Sequence, residues 1–419
     1  MTDVSRLRLS AQEFAELASG GGDAAVVERL RVANRSRTLL AIAFLATETA
    51  HASHPDTDVV ERAYRVLTEA REHDQDAVWH VVDEPEVTLW AVGAARELVH
   101  GGTRFPPALL ANVAAAAAVR AGVDADLPAP DSSRLPLPSL GTVTTGGLQI
   151  RVRPDGVHVG AVRLPADFRT PAPGWAPLAT ARLGTRTVTF DRWLLTAPPA
   201  PFDTDVLTST DADAWSRVLS GAVDLLGKHG VADSIVAAVR TITPLRQSGT
   251  VPASATLSDA FGSVLMSLPP DARSAALALV HEVQHAKLTV VLDLFPLLET
   301  SSAQRFYAPW RTDPRPLLGL LHGAYAYVGV VGFWRRQRML DTEAADVHEA
   351  EVEFARWLTA TEETVAMLVE RPELTDQGRA LVAGMAATLT GWADEPVSPT
   401  ARAEAERLRL AHRTRWQRA

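Results

Sequence analysis

Two histidines four residues apart stand in the string His281-Glu-Val-Gln-His285. The alanine- and leucine-rich residues before them favour a helix, and side chains four positions apart on a helix project from the same face. Their imidazoles are therefore placed to hold one metal ion. Glu282 is turned about 100° from His281, which places it to hydrogen-bond a ligand or a metal-bound water and so to act in catalysis. The alternative interpretation is two ordinary, partly buried histidines.

A mononuclear metal centre needs a third protein ligand. His322 lies alone in an otherwise apolar stretch that is predicted to be helical, and we predict that it completes the set with His281 and His285. Because the common iron site has two histidines and one carboxylate, Asp293 and Asp313 remain alternatives.

The spacing after the motif tests the known classes of HExxH enzyme. A metzincin requires glycine and histidine where this chain has Leu288 and Val291, so that class is excluded. A gluzincin would use a glutamate about twenty residues further on. The nearest, Glu299, lies in a segment that looks like a helix end and fits poorly.

The stretch between the two histidine-bearing segments is rich in arginine, aromatic residues and proline. Arg311 and Arg315 suit a small dianionic ligand beside the metal, because the guanidinium fork matches a carboxylate. The alternative is that these arginines pair with Asp313 or Glu299 and cap helices.

The composition excludes several other chemistries. The 419 residues include no cysteine, so disulfides, thiolate metal sites and cysteine nucleophiles are excluded. The net charge of -9 argues against a dedicated nucleic-acid or anionic-membrane surface. The first ten residues lack the apolar core of a signal peptide, and no run approaches about 18 uninterrupted apolar residues. We therefore expect a cytoplasmic protein.

The elements that position these residues are predicted to be mainly helical, with a small antiparallel β segment, an α+β fold. Ser10 and Glu13 form a capping-box pattern at the first helix, and residues 1–126 are expected to be an N-terminal helical region. A proline-rich linker, 127–138, leads to a β-rich segment at 139–202, where polar and apolar residues alternate. Residues 211–419 are expected to form the helical metal-binding domain, with extended segments only near 234–243 and 256–267.

Several motifs together resemble a known family. They are His281-Glu-Val-Gln-His-Ala-Lys-Leu, Tyr307-Ala-Pro-Trp-Arg-Thr-Asp-Pro-Arg-Pro, Gly319-Leu-Leu-His-Gly-Ala-Tyr-Ala-Tyr and Phe333-Trp-Arg. These strings resemble the HExxH-motif peptide-modification proteins encoded beside ribosomally made peptides in actinobacteria. The resemblance is dense over about 80 residues around the motif and weaker in the N-terminal helices.

The resemblance implies an iron(II) and 2-oxoglutarate-dependent hydroxylase that oxidises the β-carbon of a residue in a precursor peptide, alongside a partner peptide-modifying enzyme. Such an oxygenase needs three open metal positions and a basic residue for the distal carboxylate of the cosubstrate. Arg311, Arg315 and Lys287 are the predicted cosubstrate-binding residues. A zinc metallopeptidase with Glu282 as general base is the alternative enzyme, and a non-catalytic peptide-binding partner is the third interpretation.

Overall fold

The computed structural model describes residues 9–128, 133–190, 195–196, 202–204, 209–247, 253–299 and 303–418. The chain is 60% helical with small antiparallel sheets, which confirms the predicted mainly α fold with a small β part.

The described helices fall into a group before the β-rich segment and a group after it. The first group is α1 (Ala11–Ala18), α2 (Ala24–His51), α3 (Thr57–His73), α4 (Gln75–Val82), α5 (Pro85–His100) and α6 (Leu110–Ala121), with a 3-10 turn at Pro107–Leu109. The second group is α7 (Ser209–Lys228), α8 (Ala232–Ala238), α9 (Ala272–Leu294), α10 (Leu317–Leu340), α11 (Ala344–Val369), α12 (Asp376–Ala393) and α13 (Pro399–Arg418).

The strands are short and form four small sheets. The strands are β1 (Ala125–Leu127), β2 (Arg134–Leu137), β3 (Gly141–Thr144), β4 (Leu148–Arg153), β5 (Gly156–Val159), β6 (Val162–Arg163), β7 (Trp175–Pro177), β8 (Thr180–Leu183), β9 (Arg186–Phe190), β10 (Thr241–Pro244), β11 (Ser254–Ala255), β12 (Ser263–Met266), β13 (Arg305–Phe306) and β14 (Arg315–Pro316). The sheet orders are β1-β4-β5-β6, β2-β3-β7, β11-β12-β10-β9-β8 and β13-β14. Only the pairings of β10 with β9 and with β12 are parallel among these strands.

The chain divides into two compact units. Unit 1 comprises the described parts of 31–217 and 239–268, and unit 2 the described parts of 5–30, 218–238 and 269–419. The predicted N-terminal helical region and β-rich segment both fall mainly in unit 1. The predicted metal-binding region falls mainly in unit 2, together with α1.

The core of unit 1 is built on the alanine-rich helix α6. Every residue from Ala111 to Val119 is buried there, and the small side chains let α3 and α4 pack closely against it. Apolar residues of the β1-β4-β5-β6 sheet and of the β2-β3-β7 sheet complete the same core. The β-rich segment therefore folds onto the helices that precede it.

Unit 2 is a helical assembly around α10, which packs against both α9 and α11. By length and composition α10 is the one described helix apolar enough to cross a membrane. Most of its apolar stretch is buried inside the fold, as in the core helix of a soluble protein. The hydrophobic length of α10 is thus explained by its burial against neighbouring helices of unit 2.

Two local predictions are wrong. Residues 234–243 were expected to be extended, but their first part is the end of α8, because the alanine-rich segment continues as helix up to Ala238 before β10 begins. The segment 127–138 was expected to be a linker, but it includes strand β2, which pairs with β3. Residues 129–132 of that segment lie outside the described residues.

Candidate metal centre

Helix α9 carries the HExxH motif in its middle, as predicted. Asp271 caps its N-terminus, where the carboxylate accepts a hydrogen bond of 2.7 Å from the backbone N–H of Ser274. The helix ends at Leu294 and is capped by Phe295, directly before Pro296, which lacks the N–H needed to continue. The motif therefore lies more than two turns from either end, where the backbone is regular.

His281 and His285 project from the same face of α9. Their Nε2 atoms lie 3.1 Å apart, and their rings meet edge to face with centroids 4.7 Å apart. Two imidazoles bound to one ion at about 2.0–2.1 Å each would place their nitrogens roughly 3.0–3.4 Å apart. The observed separation therefore fits two ligands of one metal ion.

His322 lies on α10, next to this pair. Its ring centroid is 5.9 Å from that of His285, with the two ring planes tilted by 33°. Within the described ranges, however, no group of three histidine, aspartate or glutamate side chains is close enough to hold an ion. The structure thus presents a ready pair and a third histidine beside it.

Burial keeps all three histidines in the form that binds metal. Desolvation lowers the pKa of His281, and lowers that of His322 to about 4. The pKa of His285 falls well below its usual value because of burial and, second, because of the neighbouring charges of His281 and His322. Neutral imidazoles can donate a lone pair to a metal without first losing a proton.

Glu282 is almost fully buried, with 2% of its surface exposed. It follows His281 directly on α9, and its charge acts to raise the pKa of that histidine, against the larger effect of burial. A buried carboxylate beside a ligand is suited to orient the imidazole or to take a proton from a metal-bound water.

An aromatic cluster walls one side of the pair. Tyr327 meets the ring of His281 edge-on, stacks on Trp310 and contacts Trp357. The distances between ring centroids are 5.5, 4.8 and 4.5 Å, respectively. Gly323 makes room for this cluster, since a Cβ at that position would overlap the Trp310 indole. Tyr327 and Trp357 were not singled out from the sequence.

The loop that carries Arg311 and Arg315 lies directly before α10, and both arginines pair with a carboxylate. Arg311 donates to Asp313 at 2.7 Å and Arg315 donates to the other oxygen of Asp313 at 3.2 Å. The alternative in which these arginines pair with Asp313 is therefore what the structure shows. Arg315 also lies against Gly319, one turn before His322, so a guanidinium reaches the helix face that carries the third histidine.

None of the other candidate ligands forms a three-ligand group with the pair among the described residues. Asp293 is exposed near the end of α9, about 12 Å along the helix axis from His285 at 1.5 Å per residue. Asp313 is held between the two arginines. Glu299 is exposed, and its backbone N–H bonds to the carbonyl of Glu373.

Lys287 lies on a different face of α9 from the histidines. It is two residues beyond His285, so its side chain is turned about 160° from it around the helix. Its ammonium donates to the carbonyls of Gly20 at 3.3 Å and Gly21 at 2.7 Å, just past the end of α1. The structure does not bring Lys287 together with the predicted ligands.

The carbonyls at the end of α1 receive side chains from three helices of unit 2. Gln284 donates to Gly20, Tyr325 to Leu17, and Thr388 to Ser19. These contacts satisfy groups that a helix leaves unpaired at its C-terminus. The capping box of Ser10 and Glu13 at the other end of α1 is confirmed.

No family model matches the chain, and the search of curated proteins gave no match either.

Proposed function

We propose that the chain is an iron(II) and 2-oxoglutarate-dependent hydroxylase that acts on the β-carbon of a residue in a ribosomally synthesised precursor peptide. The observation that carries the proposal is the 3.1 Å separation of the His281 and His285 nitrogens on one helix face, with the ring of His322 beside them. The resemblance of the surrounding motifs supplies the reaction type.

In this proposal His281, His285 and His322 would hold the iron. When bound, the metal supplies activation of dioxygen, coupled to conversion of 2-oxoglutarate to succinate and carbon dioxide. Three protein ligands leave three positions, enough for a bidentate keto acid and oxygen.

The protein's own residues would bind the cosubstrate and exclude water from the metal site. Arg311 and Arg315 are the candidates for binding its distal carboxylate. That carboxylate would have to displace Asp313 from the two guanidinium groups or share them with it. Trp310 and Tyr327 close the side next to His281 and exclude water from it. Lys287 has no place in this role, because its ammonium is directed to the end of α1.

The substrate and the setting follow from the resemblance. We propose that the protein works in the cytoplasm on a precursor peptide, together with a partner peptide-modifying enzyme. The burial of most of the apolar stretch of α10 inside the fold is consistent with that location.

A zinc metallopeptidase is the second candidate, and one observation favours it. Glu282 is buried directly beside His281, which is the arrangement needed for a general base acting on zinc-bound water. The two candidates differ in metal, cosubstrate and product.

The deciding experiment is incubation of a candidate precursor peptide with the protein, iron(II), 2-oxoglutarate, ascorbate and air. The proposal predicts a peptide heavier by one oxygen atom with an intact backbone, and succinate formed in equal amount. Cleaved peptide in the presence of zinc, no dependence on 2-oxoglutarate and complete loss of activity in Glu282→Gln would establish the peptidase instead.

A further inference from the structure

Unit 1 contains a half-enclosed cavity of about 450 Å³. It lies between the C-terminal end of α6, the loop before β7 and the β8-β9 hairpin, all within unit 1. The volume is within the range of small-ligand sites, which is roughly 300–1,000 Å³. None of the residues predicted from the sequence as functional lines it.

Positive charge dominates the lining. The charged residues around the cavity are Arg120, Arg169, Arg186, Arg240, Glu84 and Asp167. Four arginines thus line the cavity with two carboxylate residues. Both carboxylates are paired, Asp167 with Arg169 and Glu84 with Arg240. An excess of cations in a partly enclosed space is unfavourable without a counter-charge.

Arg120 is a half-buried cation whose hydrogen bonds go to neutral groups. It donates to the hydroxyl of Ser139 at 2.7 Å and to the Ser139 carbonyl at 2.8 Å, both neutral acceptors. Burial lowers its pKa, and the nearby charge of Arg240 acts in the same direction, against the opposing effect of Glu84. Arg240 itself is bonded to Glu84 at 2.8 Å.

The β8-β9 hairpin turns a hydroxyl-bearing face to the cavity. Thr180 pairs with Thr189 across the two strands, and Thr187 lies two positions before Thr189, so all three side chains lie on one face of the hairpin. All three line the cavity, whereas Val188 and Ala181 point to the opposite, buried face. The Thr189 Oγ1 is buried and has no hydrogen-bond partner among the described residues.

We propose that this cavity is a binding site for a small anion bearing carboxylate or phosphate groups. Guanidinium forks and hydroxyl donors are the groups that proteins use to bind such oxyanions. The bound anion would add a counter-charge beside the half-buried guanidinium of Arg120. The site is separate from the metal centre, and the proposal is independent of the reaction proposed above.

The test is calorimetric titration of the full-length protein at low ionic strength with two probes, inorganic phosphate and succinate. We expect saturable binding of at least one probe at one site per chain, and the stronger probe identifies which oxyanion the site prefers. Arg186→Gln and Arg240→Gln should each weaken that binding by about tenfold or more, the loss of one charge-assisted contact. Added salt should weaken it as well.

Arg153→Gln is the matched control, because Arg153 is an exposed arginine of the same unit on β4, away from the cavity. It removes the same charge and should leave binding within about twofold. Circular dichroism of each variant shows whether it is folded, and Arg120→Lys, which keeps the charge next to Ser139, should retain binding. Failure of both probes to bind the wild-type protein, or equal weakening in Arg153→Gln, would overturn the proposal.

Discussion

The imidazole rings of His285 on α9 and His322 on α10 lie 5.9 Å apart between centroids and are tilted by 33°. This distance is short enough for both rings to face one ion after a small side-chain adjustment, although the described residues do not yet form a three-ligand group. His322 is therefore the predicted third ligand for which the structure shows a ring contact with the pair.

The first prediction concerns this third ligand. His322→Ala should lose hydroxylation and most iron affinity, because the ion would keep only two protein ligands. Glu299→Ala, the matched control on an exposed residue, should retain both. Anaerobic iron(II) titration measures the affinities. The opposite pattern would indicate a gluzincin-like site, and tolerance of both changes would point to Asp293 or Asp313.

The second prediction concerns the cosubstrate. Replacing Arg311 and Arg315 together by glutamine should raise the 2-oxoglutarate KM about thirty- to hundredfold, as expected for loss of a bidentate charge-assisted carboxylate contact. Asp313→Asn should instead lower KM, because it frees both guanidiniums from a competing carboxylate. Arg305→Gln, an exposed arginine of the same hairpin, is the control. An unchanged KM in the double variant would remove these arginines from the site.

The third prediction concerns Lys287, which is 5% exposed and whose pKa burial lowers to about 7. Between pH 7 and the usual lysine pKa of 10.5 the unfolded chain binds a proton that the folded chain does not. The free energy of unfolding should therefore rise with pH in this window. Lys287→Met should lose this contribution, as denaturant unfolding from about pH 7 to 9 can measure.

If the free energy of unfolding changed with pH equally in the wild type and in Lys287→Met, the buried ammonium would stay charged throughout this range. Because Lys287 is directed to the end of α1, the same variant should keep its 2-oxoglutarate KM. A large rise in KM would restore the cosubstrate role that the sequence suggested.

The fourth prediction concerns the packing of Gly323 against Trp310. A Cβ at Gly323 would overlap the indole, so Gly323→Ala should destabilise the fold by about 1–3 kcal/mol and displace Trp310 from Tyr327. Gly391→Ala in α12 is the control, since nothing lies within 4 Å of the added Cβ. That change should be neutral or slightly stabilising. Equal melting temperatures for both variants would contradict the packing account.

The sequence predicts the motif helix well because its signals are local. Helix α9 runs from Ala272 to Leu294 around the motif, where the alanine-rich flank predicts a helix and the proline after it predicts its end. The pairing of His281 with His285 follows from helical spacing alone.

The rest of the site depends on tertiary packing. Helix α10 is apolar on nearly all sides, so its periodicity does not reveal that Tyr327 faces His281. The pairing of Arg311 and Arg315 with Asp313 is set by a loop conformation that residue types leave open. By contrast, the helical angle between Lys287 and His285 is enough to predict that Lys287 lies on a different face of α9.

The most direct test of the metal centre is the iron content of the wild-type protein and of His281→Ala, each reconstituted with iron(II) without oxygen and freed of excess metal. The wild type should hold about one ion per chain, and His281→Ala should hold essentially none, because removal of one of two ligands on α9 leaves no pair. Circular dichroism should show the same helix content in both. Full occupancy in the alanine variant would contradict the assignment of this site as the metal centre.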